Sequence, residues 1–217
     1  MIRALVCDDH QIVRQGIRQI LADAGDVEVG AEAANGPDAI RSVREAQRGA
    51  TPFDVVLLDI AMPGRDGLDV LKQLKSEFPR LPVLILSTYP DKQYAVRSMK
   101  LGAAGYLNKS ADGEQMVAAV RKVAGGSRYI TPSAAEALAS AIGSGTGDRG
   151  APAFERFSHR EYQVFRLLTS GLSVGEIATR LSLSSNTVST YRARLLEKTG
   201  ARNDVELALY AVQSGLL

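Results

Sequence analysis

Cysteine is nearly missing from this chain: Cys7 stands alone among 217 residues. One thiol excludes an intrachain disulfide and any metal site built from paired cysteines. Its place inside an apolar run reads as a small core residue. Net charge is also scarce, with 26 basic residues against 24 acidic, leaving +2. Global charge therefore selects no class of partner, and the distribution of charge has to carry that information. No apolar run approaches the ~18 residues of a membrane span. The pair Asp8-Asp9 arrives too early for a signal peptide. No internal repeat is present. These absences are read as a soluble, cytoplasmic protein. Apolar content is an ordinary 45%, so 217 residues make one large or two small domains with real cores.

What is present is a set of short apolar runs that stop at charged residues. Residues 2–7 run into Asp8-Asp9, residues 55–58 into Asp59, and Tyr106-Leu107 into Asn108 and Lys109. Strand-like runs fall at 2–6, 27–31, 54–58, 83–86 and 105–107. Between them, apolar residues recur at helical spacing: Ile12, Ile17, Ile20 and Leu21; Ala39, Ile40 and Val43; Leu68, Leu71 and Leu74; Val96 and Met99; Met116, Val117, Val120 and Val123. Strands alternating with helices predict a parallel, doubly wound sheet over residues 1–125. In such a sheet the C-terminal strand ends share one crevice. Three aspartates and a lysine, distant in sequence, would then line one pocket.

A linker is read over 126–152, with a possible short helix at 133–142. Residues 143–152 hold four glycines, one proline and no large apolar side chain. Ten such residues span roughly 16–19 Å root-mean-square. From 153 to 217 the pattern turns helical. Ser158, Ser173 and Asn203 each precede a glutamate by three residues, at Glu161, Glu176 and Glu206, which is the capping-box spacing. A further helix opens at Ser184 or Ser185. The expectation is a four-helix all-α bundle whose second and third helices form a helix-turn-helix.

One aspartate at a strand end is ordinarily a helix cap, and Asp8 or Asp9 can cap the helix starting near His10. Three clustered carboxylates raise one another's pKa unless a cation joins them. Mg²⁺ suits such a set, Lys109 offers a point charge to a phosphate oxygen, and Asp59 is left as a nucleophile. His10 reads as a helix-start residue rather than a metal ligand. His159 reads as a surface residue, and Arg65 and Arg80 as solvated loop charges.

With Asp8-Asp9, Asp59, Met62-Pro63, Asp66-Gly67, Ser87-Thr88, Tyr106 and Lys109 in this order, residues 1 to about 125 resemble two-component receiver domains. The resemblance implies a five-stranded parallel sheet of flavodoxin-like order 2-1-3-4-5. It implies Asp59 as phosphoacceptor from a sensor histidine kinase. It implies Mg²⁺ held by Asp8, Asp9, Asp59 and the Ala61 carbonyl. Ser87, Thr88, Tyr106 and Lys109 would bind the phosphoryl group and switch with it. Ser110 stands where a proline with a cis bond is frequent. Ala61 and Tyr89 offer no group to orient water, which implies a slowly hydrolysed phosphoaspartate.

Residues 180–202 carry Arg180, Arg192, Arg194, Lys198 and Arg202 against Glu197 alone. On a helix over 185–199, Val188, Tyr191, Leu195 and Thr199 form an inward stripe. Asn186, Ser189, Thr190, Ala193 and Glu197 form the outward face, flanked by Arg192, Arg194 and Lys198. A small polar face with a basic rim suits a recognition helix in the major groove of double-stranded DNA, with Asn186 placed to read adenine. Phe157 to Glu161, Gly171-Leu-Ser, Glu176-Ile-Ala, Leu181 to Ser184, Thr187-Val188 and Lys198-Thr-Gly resemble the LuxR-type domain of the NarL/FixJ response regulators. That resemblance implies DNA contacts from Asn186, Thr187, Ser189, Thr190, Arg192, Ala193, Arg194 and Lys198. It also implies a homodimer through the last helix, by Val205, Leu209 and Val212. Thr199 stands where leucine is usual.

The reading is a non-enzymatic, phosphorylation-dependent transcriptional regulator. An aspartate-nucleophile phosphatase would carry a second aspartate where Ala61 stands. A phosphorylation-independent regulator would not need the complete acidic set.

Overall fold

The structure is a computed structural model. It describes residues 1–49, 51–62, 66–88, 91–132, 134–136, 139, 153–214 and 216, with the side chains of 91–93, 155 and 159 left out. Pro63, Arg65, Tyr89, the His159 side chain, much of the 133–142 helix and the 143–152 linker therefore lie outside the described residues. The chain divides into two compact units, Met1–Gly145 and Thr146–Leu217.

The first unit alternates β1 (Ile2–Cys7), α1 (Gln11–Asp23), β2 (Val27–Ala33), α2 (Gly36–Arg48), β3 (Val55–Asp59), α3 (Gly67–Glu77), β4 (Val83–Ser87), α4 (Asp91–Lys100), β5 (Gly105–Asn108) and α5 (Gly113–Ala124). The strands are parallel in the order β2-β1-β3-β4-β5, as expected. Every residue of β3 and β4 is buried, because helices cover both faces. Ala4, Val6, Val55, Leu57, Leu84, Leu86 and Leu107 face Ile17 and Leu21 of α1 and Met116, Val117, Val120 and Val123 of α5. Each such fully buried aliphatic side chain contributes about 1.5–3 kcal/mol. Leu5, Cys7, Val56, Leu58 and Ile85 alternate with these and point to the other face, where α2 and α3 meet the sheet. β2 buries only Val27 and Ala33 fully, as an edge strand does.

Two glycines permit close approaches. A Cβ on Gly67 would sit 2.1 Å from the carbonyl oxygen of Asp59, so only glycine lets α3 start against the end of β3. A Cβ on Gly105 would meet the Tyr129 carbonyl at 2.9 Å. There the chain beyond α5 returns to the sheet: the Tyr129 N–H donates to Ala104 and a parallel bridge joins Tyr129 to Gly105. The segment read as the start of a linker thus begins by extending the sheet edge.

The second unit opens with a 3₁₀ turn, Ala153–Arg156, followed by α6 (His159–Thr169), α7 (Val174–Leu181), α8 (Ser185–Thr199) and α9 (Asp204–Gln213). Phe157, Val164, Phe165, Leu168, Ile177, Val188, Leu195, Leu207 and Ala211 form its core. The Phe157 and Phe165 rings pack tilted, 5.2 Å between centroids. Capping boxes close the N-termini of α6 and α7 at Ser158/Glu161 and Ser173/Glu176. At α9 the box is altered: Asn203 caps the Glu206 N–H, but the Glu206 carboxylate accepts from Arg202 N–H instead of Asn203. Ser184 caps α8 by accepting from the Thr187 N–H. Thr199, standing where leucine is usual, turns its hydroxyl back along the helix and donates to the Leu195 carbonyl at 2.8 Å.

Candidate functional site

Parallel strands deliver their C-terminal residues to one edge. Asp8 follows β1, Asp59 ends β3, Ser87 ends β4, and Lys109 follows β5. Backbone bonds fix the register there: Asp8 N–H to Ala33, Ile60 N–H to Leu86, and Lys109 N–H to Ser87. The Lys109–Ser110 peptide is trans. Lys109 Nζ lies 2.5 Å from Asp8 Oδ2 and 3.0 Å from Asp59 Oδ1. The charges expected to converge from sequence do converge.

Asp8 and Asp59 are buried, as are Ser87 and Tyr106, while Thr88 is exposed. Ala61 lies half-buried two residues past Asp59. Neither Asp8 nor Asp9 caps α1, correcting that expectation. The N-cap is His10, without a side-chain cap bond. Asp8 is occupied elsewhere, its Oδ1 accepting the His10 N–H and its Oδ2 facing Lys109. One contributor went unread in the sequence. The Arg14 guanidinium donates to the Asp8 carbonyl at 2.7 Å and to Glu32 at 3.1 Å, pinning the loop that carries the aspartates. An arginine one turn into a helix carries no sequence signal for that role.

Burial pushes the Asp59 carboxyl up, Lys109 opposes this and Asp8 reinforces it. Burial works against the Lys109 ammonium, yet Asp59 and Asp8 outweigh it and push that group up as well. The Cys7 thiol is pushed up to about 12 by burial and by the neighbouring carboxylates. It is an inert core group against Met62.

Asp8, Asp9, His10 and Asp59 each bring one donor atom within 4.8 Å of the others. Both oxygens of Asp59 and Oδ1 of Asp9 are shielded from solvent and accept no well-aligned hydrogen bond among the described residues. Buried acceptors left in that state are costly. Hard oxygen donors so arranged fit a divalent cation.

On α8, Asn186, Ser189, Thr190, Ala193, Arg194 and Glu197 are exposed, Val188 and Leu195 are buried, and Tyr191 and Thr199 are intermediate. The outward face is where the helical spacing placed it. Two basic residues of its rim differ from expectation. Lys198 Nζ lies 2.6 Å from the Glu161 carboxylate, which is only 2% exposed, and also donates to the Arg156 carbonyl. Its charge is therefore spent inside the bundle, because α6 presents a buried anion to this side of α8. Arg192 is turned to Asp204 at the start of α9, at 2.7 Å. Thr187 is half-buried and shares a hydroxyl contact with Ser184. On α9, Val205, Leu209 and Val212 are exposed large apolar residues, 71%, 56% and 61% accessible. No helix among the described residues is long and apolar enough to cross a membrane.

The response regulator receiver domain family matches residues 4–121, and the luxR family of bacterial regulatory proteins matches 155–211. The response regulator GacA of Pseudomonas aeruginosa is 39% identical, with all of this chain and 98% of that protein covered. The response regulator UvrY of Escherichia coli is 36% identical, covering 100% of this chain and 96% of the relative. Among solved structures, the response regulator ChrA of a heme-sensing two-component system is 33% identical, with TM-score 0.52, over 100% of this chain and 98% of ChrA. The RcsB–DNA complex is 26% identical, with TM-score 0.57, over 97% and 98%. The chain belongs to the NarL/FixJ response regulators, DNA-binding transcriptional regulators that join a receiver to a LuxR-type domain.

Proposed function

We propose that Asp59 is the phosphoacceptor and that its phosphorylation controls DNA binding by the helical domain. The observation that carries this is the placement of Asp59 at the central strand end with Lys109 Nζ 3.0 Å away. A histidine kinase supplies the phosphoryl group. An Asp59 oxygen attacks phosphorus, the N–P bond of the phosphohistidine breaks, and the imidazole leaves with a proton. Asp8, Asp9, Asp59 and the Ala61 carbonyl would hold Mg²⁺, which neutralises phosphoryl charge when bound. Lys109 supplies a second positive charge to a phosphoryl oxygen, and Ser87, Thr88 and Tyr106 line the group and follow it. The added charge, about −2 at most near neutral pH, biases a two-state receiver.

The output is a cytoplasmic homodimer on double-stranded DNA. Asn186, Ser189, Thr190 and Ala193 face base edges, and Arg194 faces phosphates. The RcsB–DNA complex supports a DNA-facing role for this type of domain. The receiver is taken as 1–125 and the helical domain as 153–217, a division supported by the family matches over 4–121 and 155–211. The protein is a regulator and not a turnover enzyme. With Mg²⁺ and a small-molecule phosphodonor, intact mass is expected to rise by one phosphoryl group. A rise that persists in Asp59→Asn would remove the assignment.

A further inference from the structure

We propose that His10 is an additional ligand of the acidic site, which makes that site favour imidazole-accepting transition ions over Mg²⁺. The proposal rests on the reading of Asp8, Asp9 and Asp59 as a metal site. His10 is the N-cap residue of α1, but its side chain makes no cap bond, so the helix does not use the ring. Its backbone is anchored by the N–H donated to Asp8 Oδ1 at 2.8 Å. From that anchor Nδ1 reaches 2.9 Å from Asp9 Oδ1 and 3.4 Å from Asp8 Oδ1.

The spacing can be compared with an ion's needs. Octahedral ligands about 2.1 Å from a small divalent ion lie ~3.0 Å apart at adjacent positions and ~4.2 Å apart at opposite ones. The two His10 distances are close to adjacent edges. The four-donor set, within 4.8 Å overall, needs only a modest contraction. Asp59 Oδ2, buried with no hydrogen bond among the described residues, gives that contraction a driving force, while Asp9 Oδ1 and Asp59 Oδ1 already face His10 and Lys109. Three carboxylates alone suit Mg²⁺, whereas a neutral imidazole nitrogen suits Co²⁺, Ni²⁺ or Zn²⁺. The ring is 66% exposed, so an incoming hydrated ion meets it before the buried carboxylates.

The chain has two histidines, His10 and His159, so an untagged full-length protein allows a clean comparison. The probes are Co²⁺ and Mg²⁺, followed by calorimetry and, for Co²⁺, by its visible absorption bands. His10→Ala is expected to weaken Co²⁺ about tenfold or more, to alter the Co²⁺ bands and to leave Mg²⁺ within about twofold. His159→Ala is expected to change neither ion. Unchanged Co²⁺ affinity and bands in His10→Ala, or equal weakening of both ions, would overturn the proposal. The double variant Asp9→Asn, Asp59→Asn separates the two levels. If it retains Mg²⁺ binding, the acidic-site reading itself falls; if it loses Mg²⁺ while His10→Ala leaves Co²⁺ untouched, only the role of His10 falls.

Discussion

Asp59 carries a negative charge in a place where folding would be easier without one. Burial raises its pKa above the ordinary carboxylate value, against the pull of Lys109. A carboxyl whose folded pKa exceeds its unfolded pKa binds more protons when folded. Stability therefore falls as pH rises from the unfolded value of about 3.8 through the raised one, and stays lower above it. Asp59→Asn removes this penalty. In metal-free buffer at neutral pH the variant is expected to be more stable by about 0.5–2 kcal/mol in urea unfolding. The gap should close as pH drops through the window. Lys109, whose pKa is also raised, has the same sign of pH dependence in a much higher window: its contribution is fully present below the unfolded value and is lost only as pH rises through the folded one. Its titration therefore does not mask the Asp59 effect near neutrality. A variant less stable than wild type at neutral pH would refute the penalty. A second expectation concerns saturating Mg²⁺, a concentration of about 100 times Kd, which should add about 2.7 kcal/mol to wild type. Asp59→Asn together with Asp9→Asn should abolish that increment, read by the same melts.

Helix α8 separates what a sequence displays from what it hides. The stripe of Val188 and Leu195 and the exposed face of Asn186, Ser189 and Ala193 follow from 100° per residue, a property of one helix alone. The partner of Lys198 does not, because it depends on what α6 presents across the bundle. A capping-box glutamate gives no hint that it is also a buried countercharge. The acidic pocket is legible for the opposite reason: parallel topology forces strand ends together, so Asp8, Asp59 and Lys109 need no pairwise signal. Arg14 reaches that pocket from within α1 and His10 from its N-cap, through side-chain contacts that leave no mark in the sequence. Three substitutions on α8 should therefore behave differently. Lys198→Ala leaves the buried Glu161 carboxylate without its cation, and should destabilise the helical domain by about 1–3 kcal/mol in thermal or urea unfolding. Arg194→Ala should leave stability unchanged but weaken binding to all duplexes and lower the salt slope by about one. Asn186→Ala should cost roughly 1–3 kcal/mol on the best site alone. Equal weakening of specific and scrambled duplexes by Asn186→Ala would mean that this face reads no base.

At the scale of the whole molecule, the two units have different signals in sequence. The receiver announces itself through charges at strand ends, the helical domain through caps and a local basic surplus. The return of Tyr129 to the sheet edge has no such signal, since one bridge leaves no periodicity. The proposed dimer contact is the exposed stripe of Val205, Leu209 and Val212 on α9, spaced by four and three residues on one helical face. Three large apolar groups held in water lower nothing in the monomer, but they gain burial if two copies meet. Leu209→Lys tests this. Its side chain is 56% exposed in the monomer, so the unfolding midpoint should stay near wild type. Self-association of the phosphorylated protein, followed by sedimentation, should weaken about tenfold or more, a change of about 1.4 kcal/mol. Binding to a duplex with two half-sites should weaken in parallel, while binding to a single half-site should not change, because the recognition face of α8 is untouched. A variant that dimerises as wild type does would show that α9 is not the contact. A variant that loses single half-site binding as well would show that Leu209 acts on the DNA-binding domain itself.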